Sequence, residues 1–196
     1  QYGGAGMDAI SYVLIMEELS KIDASASVVV SVNNSLVCYG LEKYGNEAQK
    51  EKYLKPLACG EKIGAFCLSE PEAGSDAANQ QTRAVKDGND YILSGSKTWI
   101  SCGTIATHAL IFATVDPALG HKGITCFVVD TKSKGFTAQA MHGKLGLRAS
   151  DTASLFLDEV RVPAENMLGK VGEGFKIAMS ALDNGRFSVA AGAVGL

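Results

Sequence analysis

Two segments of this 196-residue chain combine residue types that suit a ring cofactor carrying phosphate. They are Phe66-Cys67-Leu68-Ser69-Glu70-Pro71-Glu72-Ala73-Gly74-Ser75-Asp76 and, after an intervening hairpin, Lys97-Thr98-Trp99-Ile100-Ser101. The first has hydroxyls, a proline-stiffened turn and a Gly74-Ser75 step that exposes backbone N–H groups. Such a concavity holds phosphate without a positive side chain. The second sets the only tryptophan beside a hydroxyl on a strand pattern. A flavin asks for these parts: donors for the pyrimidine edge and N5, a surface for the flat face, and N–H groups for the pyrophosphate. Each part also has a plainer reading. Pro and Gly mark ordinary turns, Trp99 fits a core aromatic on a strand, and Ser69 and Ser101 fit hydroxyls bonded to nearby backbone.

Other reactive side chains offer less. Asp183 and Arg186 lie three apart on an expected helix, which alone reads as an exposed ion pair. His108, His121 and His142 are isolated, without a nucleophile motif or metal-ligand spacing, and read as surface or loop residues. Glu159, Glu165 and Glu173 read as a strand-end, a turn and a loop charge. The cysteines, Cys38, Cys59, Cys67, Cys102 and Cys126, are odd in number and form no Cys-x-x-Cys. They read as reduced, buried and inert. No metal site is expected.

The elements that must position these residues follow from periodicity. Ile10, Val13, Leu14 and Leu19 predict an amphipathic helix over 7–20. A second helix is expected from Ser25 through Val28 to Leu41, despite a valine-rich stretch that favours strands. Asn46 and Gln49 form a capping-box pattern for a short helix that Pro56 should end. After Gly60 the texture becomes that of an antiparallel sheet. Strands are predicted over 63–68, 82–85, 91–93, 97–100, 109–114, 123–129 and 154–162, with turns at 86–90 and at Ser94-Gly95-Ser96. Phe175, Ala178, Met179 and Leu182 predict a final helix from Gly172. The fold class is therefore α+β. No Gly-x-Gly-x-x-Gly joins a strand to a helix, which disfavours a Rossmann site.

Composition sets bounds. Hydrophobic residues make up 46% and charged residues 20%, and the net charge is −3 with scattered Lys and Arg. Nothing here argues for nucleic acid or an anionic membrane. No apolar run approaches the ~20 residues of a membrane span, and no signal peptide is visible. An intracellular, soluble protein acting on a small molecule is expected.

The order and wording of the two segments resemble the acyl-CoA dehydrogenases, and the resemblance covers nearly the whole chain. It continues through Tyr2-Gly3-Gly4-Ala5-Gly6, Ser31-Val32-Asn33-Asn34-Ser35-Leu36, Lys144-Leu145-Gly146-Leu147-Arg148-Ala149-Ser150 and Asp183-Asn184-Gly185-Arg186. It implies the end of an N-terminal helical domain over 1–60, a flavin-binding middle β-domain over 61–165, and a linker with the first helix of a C-terminal helical domain over 166–196. Members are about twice this length, so an internal fragment is expected: no methionine precedes Met7, and the chain stops at Leu196 within an Ala-rich helical pattern.

The resemblance also implies FAD as cofactor, with Phe66, Leu68 and Ser69 along the pyrimidine edge, Gly74 and Ser75 at the pyrophosphate, and Trp99, Ile100 and Ser101 bordering the isoalloxazine. Ser101 would bond near N5; both Ser69 and Ser101 stand where many relatives have threonine. Ser75, Asp183 and Arg186 would contact the acyl-CoA, and Arg148 would be structural or interfacial. The implied reaction is α,β-dehydrogenation of a short-chain acyl-CoA to the trans-2-enoyl-CoA, as in fatty-acid β-oxidation. Electrons would pass to an electron-transfer flavoprotein, in a homotetramer of the bacterial cytoplasm or mitochondrial matrix. The base is a glutamate, which some branches carry where this chain has Gly185. It is therefore expected beyond Leu196. An oxidase or nitroalkane-oxidising relative, and a mere folding or interaction module, are the competing readings.

Overall fold

The computed structural model describes every residue from Gln1 to Leu196. Helix α1 spans Ala9–Ile22 and starts where the Asp8 carboxylate accepts from the Ser11 N–H. Asp23 ends it and caps the next helix, accepting from Ser25 and Ala26, as a short acceptor at an N-cap should. That next helix, α2, runs Ala24–Tyr44 without a break, and its middle, Val32–Cys38, is wound as a π-helix. The valine-rich stretch is helical because Ser25, Ser27, Ser31 and Ser35 turn a small-residue face inward. At 21 residues α2 is long and apolar enough to cross a bilayer by length and composition alone, a test that buried core helices also pass. Here Val37, Cys38 and Leu41 spend that apolarity on the protein core.

Helix α3 occupies 47–58. The predicted capping box is present, with the Asn46 side chain on the Gln49 N–H and the Gln49 side chain on the Asn46 N–H. Pro56, expected to stop this helix, lies inside it. The turn before it is a π segment, Lys50–Leu54, in which the Lys55 N–H bonds back to the Lys50 carbonyl. That wider turn lets the chain carry a residue with no N–H to give.

The sheet has eight strands: β1 (Gly64–Cys67), β2 (Arg83–Asp87), β3 (Asp90–Ser101), β4 (His108–Thr114), β5 (Ile124–Asp130), β6 (Phe136–Ala140), β7 (Thr152–Pro163) and β8 (Met167–Leu168). Their order is β6-β7-β3-β2-β4-β5-β8, with β1 also on β4. Most pairings are antiparallel, but β1 and β2 both run parallel to β4. Two expectations fail here. Ser94-Gly95-Ser96 is no turn: β3 continues through it with a register shift against β7. Gly95 has φ +149°, and a Cβ there would stand 2.7 Å from the Thr82 Cα, so the glycine serves a bulge and a close backbone approach. Neither strand β6 nor the two-residue strand β8 was anticipated.

Alternation along β4 builds two cores, one on each face. Leu110 and Phe112 join the helices, with Val37, Leu41, Leu57, Ile177 and Ala181. Ala109, Ile111 and Ala113 face Leu93, Ile100, Leu155 and Val160 of β3 and β7. The final helix, α4 (Gly174–Gly195), lies on the helical side. Its buried face is Ile177, Ala178, Ala181, Gly185, Ser188 and Ala191, so Phe175, Met179 and Leu182, which predicted the helix, lie at the margin of the contact. Small residues let α4 approach α1 and α2 closely. In the seam the Ser188 hydroxyl meets Ser31 at 2.9 Å and Ser35 at 3.2 Å, and Ser35 meets Tyr12 at 2.9 Å. These buried hydroxyls are thereby satisfied.

Candidate functional site

The topology of β1 and β2 creates the first segment's loop. Cys67 pairs with Ile111, and Arg83 pairs with Thr114. Residues 68–82 thus leave the edge of β4 and return to it three residues further on. The loop's first turn is closed by reciprocal bonds of 3.1 Å between Glu70 and Ala73 backbones, across Pro71 and Glu72.

The second segment sits against the root of this loop. The Thr98 N–H donates to the Ser69 carbonyl at 2.9 Å. Beside it β3 carries a bulge: Lys97 pairs with Leu155 and Ile100 with Ala153, so Thr98 and Trp99 together oppose one residue. Trp99 takes φ +58° in that bulge. Lys97 and Ile100 point inward while Trp99 is 66% exposed, which overturns the core-aromatic reading. Ser101, half-buried, lies on the outward side with it.

The predicted residues divide by how they can meet a ligand. Phe66, Leu68 and Ile100 are buried in the two cores, so only their backbone can do so. Ser69 and Ser101 are half-buried, and their hydroxyls take no part in the hydrogen bonds that hold the loop. Gly74 and Ser75 lie on the exposed outer turn, and a Cβ built on Gly74 would meet nothing within 4 Å. Free hydroxyls, an uncovered indole and an open glycine step make a set of donors and surfaces that fits a flavin.

Asp183 and Arg186 are on the solvent side of α4, paired to each other at 3.4 Å with both side chains 77% exposed. Their recorded side-chain hydrogen bond and ion pair are to each other and not to Ser75 or the loop, although α4 and Phe66 share one core. Arg186 and Gly185 border a cleft of about 780 Å³ whose lining includes Met16, Val28, Leu36 and Leu182. Gly185 itself is buried, with the Leu36 Cδ2 3.0 Å from where its Cβ would stand.

Lys97 was missed by sequence reasoning, because lysine ordinarily reads as exposed. It is fully buried. Its Nζ donates to the Glu70 carboxylate at 2.7 Å, the Gln80 side-chain oxygen at 3.1 Å and the Leu68 carbonyl at 3.3 Å. Glu70 accepts in turn from the Gln81 N–H at 2.6 Å and the Thr82 N–H at 3.2 Å. Burial works to raise the Glu70 pKa, but the Lys97 charge and these bonds hold it below the usual carboxylate value. Burial draws Lys97 down against the pull of Glu70. With three acceptors around Nζ, the pair is ionic.

Other candidates settle as follows. His108 is not a surface residue: it opens β4, half-buried against Tyr53 at 5.0 Å between ring centroids. Burial lowers its pKa, and Lys62 and Lys52 add to this. Four cysteines are buried, but Cys59 is exposed. Burial pushes Cys38 and Cys67 up to about 12 and Cys102 up to about 11, which keeps them as inert thiols. Glu159 lies within β7 rather than at its end. No group of metal-ligating side chains exists.

An eight-stranded sheet with helices packed on one face carries the loop of residues 68–82. Residues 1–61 match the family model of the acyl-CoA dehydrogenase N-terminal domain and residues 65–160 that of the acyl-CoA dehydrogenase middle domain. The chain belongs to the acyl-CoA dehydrogenase family. It is 47% identical, over its whole length, to the short-chain-specific acyl-CoA dehydrogenase of Clostridium acetobutylicum, covering 52% of that protein. Among solved structures, butyryl-CoA dehydrogenase from Megasphaera elsdenii matches 99% of the chain at a TM-score of 0.96 and 47% identity, with 52% of that protein covered. A glutaryl-CoA dehydrogenase from Mycobacterium smegmatis, in complex with FADH2, matches all of it at 0.93 and 44%, with 49% covered. The chain thus spans about half the length of the relatives it matches.

Proposed function

We propose that this chain is the flavin-binding part of an FAD-dependent dehydrogenase of short-chain acyl-CoA thioesters. The observation that carries the reading is the joining of the two segments, Ser69 carbonyl to Thr98 N–H, beside an indole turned out to solvent. When bound, FAD supplies the hydride acceptor for α,β-dehydrogenation. Ser69 and the backbone of Phe66 and Leu68 serve the pyrimidine edge. Trp99 and the Ile100 backbone border the ring, and the Ser101 hydroxyl donates near N5. Gly74 and Ser75 offer N–H and O–H donors to the pyrophosphate.

Asp183 and Arg186, with Ser75, hold the CoA portion of the substrate. Position 185 cannot supply the α-proton base, because glycine has no side chain; a glutamate elsewhere in the subunit takes that part. The short-chain preference rests on the likeness to short-chain and butyryl-CoA enzymes. Electron transfer to an electron-transfer flavoprotein, homotetramer formation, and a division of the chain near residues 60 and 165 are part of the same proposal.

The test uses the intact subunit. A purified protein with a flavin spectrum that bleaches on adding butyryl-CoA, then recovers with electron-transfer flavoprotein, supports the reading. A colourless protein that fails to take up FAD overturns it. Peroxide formation in turnover would instead assign it to the oxidases.

A further inference from the structure

The loop of residues 68–82 departs from β4 beside Ile111 and rejoins it at Thr114. At an extended spacing of about 3.3 Å per residue, the two ends of a fifteen-residue excursion are therefore held within roughly 10 Å of one another. Such a neck needs closing, since an open loop gains conformational entropy at every residue. The backbone does part of this, through the Thr82 carbonyl on the Thr114 N–H at 2.8 Å. The rest falls to buried side chains. Glu70, from the outgoing arm, takes the N–H groups of Gln81 and Thr82 on the returning arm. Lys97, from β3, bonds Leu68 and Glu70 on one arm and Gln80 on the other.

We propose that Lys97, paired with Glu70, is a positioning residue for the cofactor: a clamp across the loop's neck that sets Ser69 and the Gly74-Ser75 turn relative to Trp99 and Ser101. The inference rests on the flavin reading above. Its basis is geometric. Lys97 leaves the strand two residues before Trp99, at the bulge that turns the indole outward, and the next amide, Thr98, holds the Ser69 carbonyl. One stretch of β3 therefore fixes both the surface for the ring and the arm that leads to the phosphate turn. The clamp works by shape rather than by attraction. Its lysine charge is matched by Glu70 and fully buried, so it offers no free cation to the pyrophosphate.

A buried pair is poor evidence of stabilisation, since apolar replacements often serve as well. A positional role should therefore show when the charges are removed together. In the intact subunit, Lys97→Met with Glu70→Gln is expected to fold, while its Kd for FAD rises about tenfold or more. Its preference for FAD over FMN should shrink, because FMN has no pyrophosphate for the turn to grip. Hydrogen exchange over residues 71–79 should quicken. An FAD Kd within about twofold of the unmodified protein, whatever the melting temperature, overturns the clamp. If the double variant does not fold, Gln80→Leu decides, with a rise of about threefold supporting the proposal and an unchanged Kd rejecting it. Failure of the unmodified subunit to bind FAD refutes the flavin reading itself, a result distinct from both.

Discussion

The Thr98 N–H donates to the carbonyl of Ser69 at 2.9 Å, and this bond joins two stretches that lie almost thirty residues apart in the chain. Because Thr98 shares its bulge with Trp99, the same irregularity that offers the amide also turns the indole away from the core. A regular strand could not do both. Without the extra residue, period-two alternation would put Thr98 or Trp99 on the wrong face.

Trp99 is thus placed for a ligand and not for the fold, and two substitutions separate these roles. An exposed side chain contributes little to stability, so Trp99→Ala should shift unfolding by no more than about 0.5 kcal/mol. Flavin affinity and the rate of flavin reduction should fall together. Trp99→Gly should leave the fold no less stable than Trp99→Ala, since φ +58° costs an L-residue about 1 kcal/mol. Chemical denaturation read beside flavin fluorescence checks both statements. A loss of several kcal/mol with the alanine would show that the indole is structural after all.

Removing Lys97 alone should be severe. Lys97→Met strands a buried carboxylate, at a cost of about 3–5 kcal/mol, and pairing it with Glu70→Gln should recover most of the loss. The pH dependence follows from the sign of the Glu70 shift. Its pKa in the folded chain lies below the ordinary 4.5, so the folded state binds this proton less readily than the unfolded one. The stabilisation is complete above about pH 4.5 and is lost as pH falls through the folded value. Melting curves from pH 6 to pH 3 should show a steeper acid decline for the unmodified protein than for the double variant.

His108 supplies a second window with a different position. Its folded pKa lies below 6.5 because burial disfavours the charged ring. Below pH 6.5 the unfolded chain gains a proton that the folded chain resists, so stability rises as pH climbs toward 6.5 and is level above it. The His108 Nδ1 lies 3.1 Å from the Thr107 hydroxyl, so replacement by Gln, which keeps a polar tip there, should flatten that part of the profile between pH 5 and 6.5. Melting temperatures of the two proteins across this range decide the point, and parallel curves would count against it.

Legibility from sequence tracked how local the governing physics was. The Asn46–Gln49 capping box was readable because both bonds close within four residues. The helix of residues 24–44 was legible in part, as a helix from Ser25 to Leu41, even though its valines argued otherwise. Pro56 was misread because a π turn upstream, which periodicity does not reveal, accommodates it. Gly95 was misread because an extended strand with φ +149° and a tight turn look alike as Ser-Gly-Ser. In the site, Ser69, Gly74 and Trp99 stood out by type and order, whereas Lys97 did not. Its burial depends on partners 17 and 27 residues away, and no local pattern distinguishes it from a surface lysine.

Arg186 offers the sharpest separation of substrate from cofactor. Its bond to Asp183 is exposed on both sides, and such pairs add at most about 0.5 kcal/mol to a helix. Arg186→Ala should therefore melt within a degree or two of the unmodified protein and keep its flavin. If the guanidinium meets the CoA portion of the substrate, losing one charge-assisted contact should weaken acyl-CoA binding by about 1.5–3 kcal/mol, roughly 10- to 150-fold. The same loss should appear for CoA thioesters of different acyl length, because the contact is remote from the acyl chain. Titration of the flavin spectrum with butyryl-CoA and a longer homologue measures this directly. A loss confined to one chain length would instead place Arg186 in the apolar cleft it borders, as a determinant of acyl specificity.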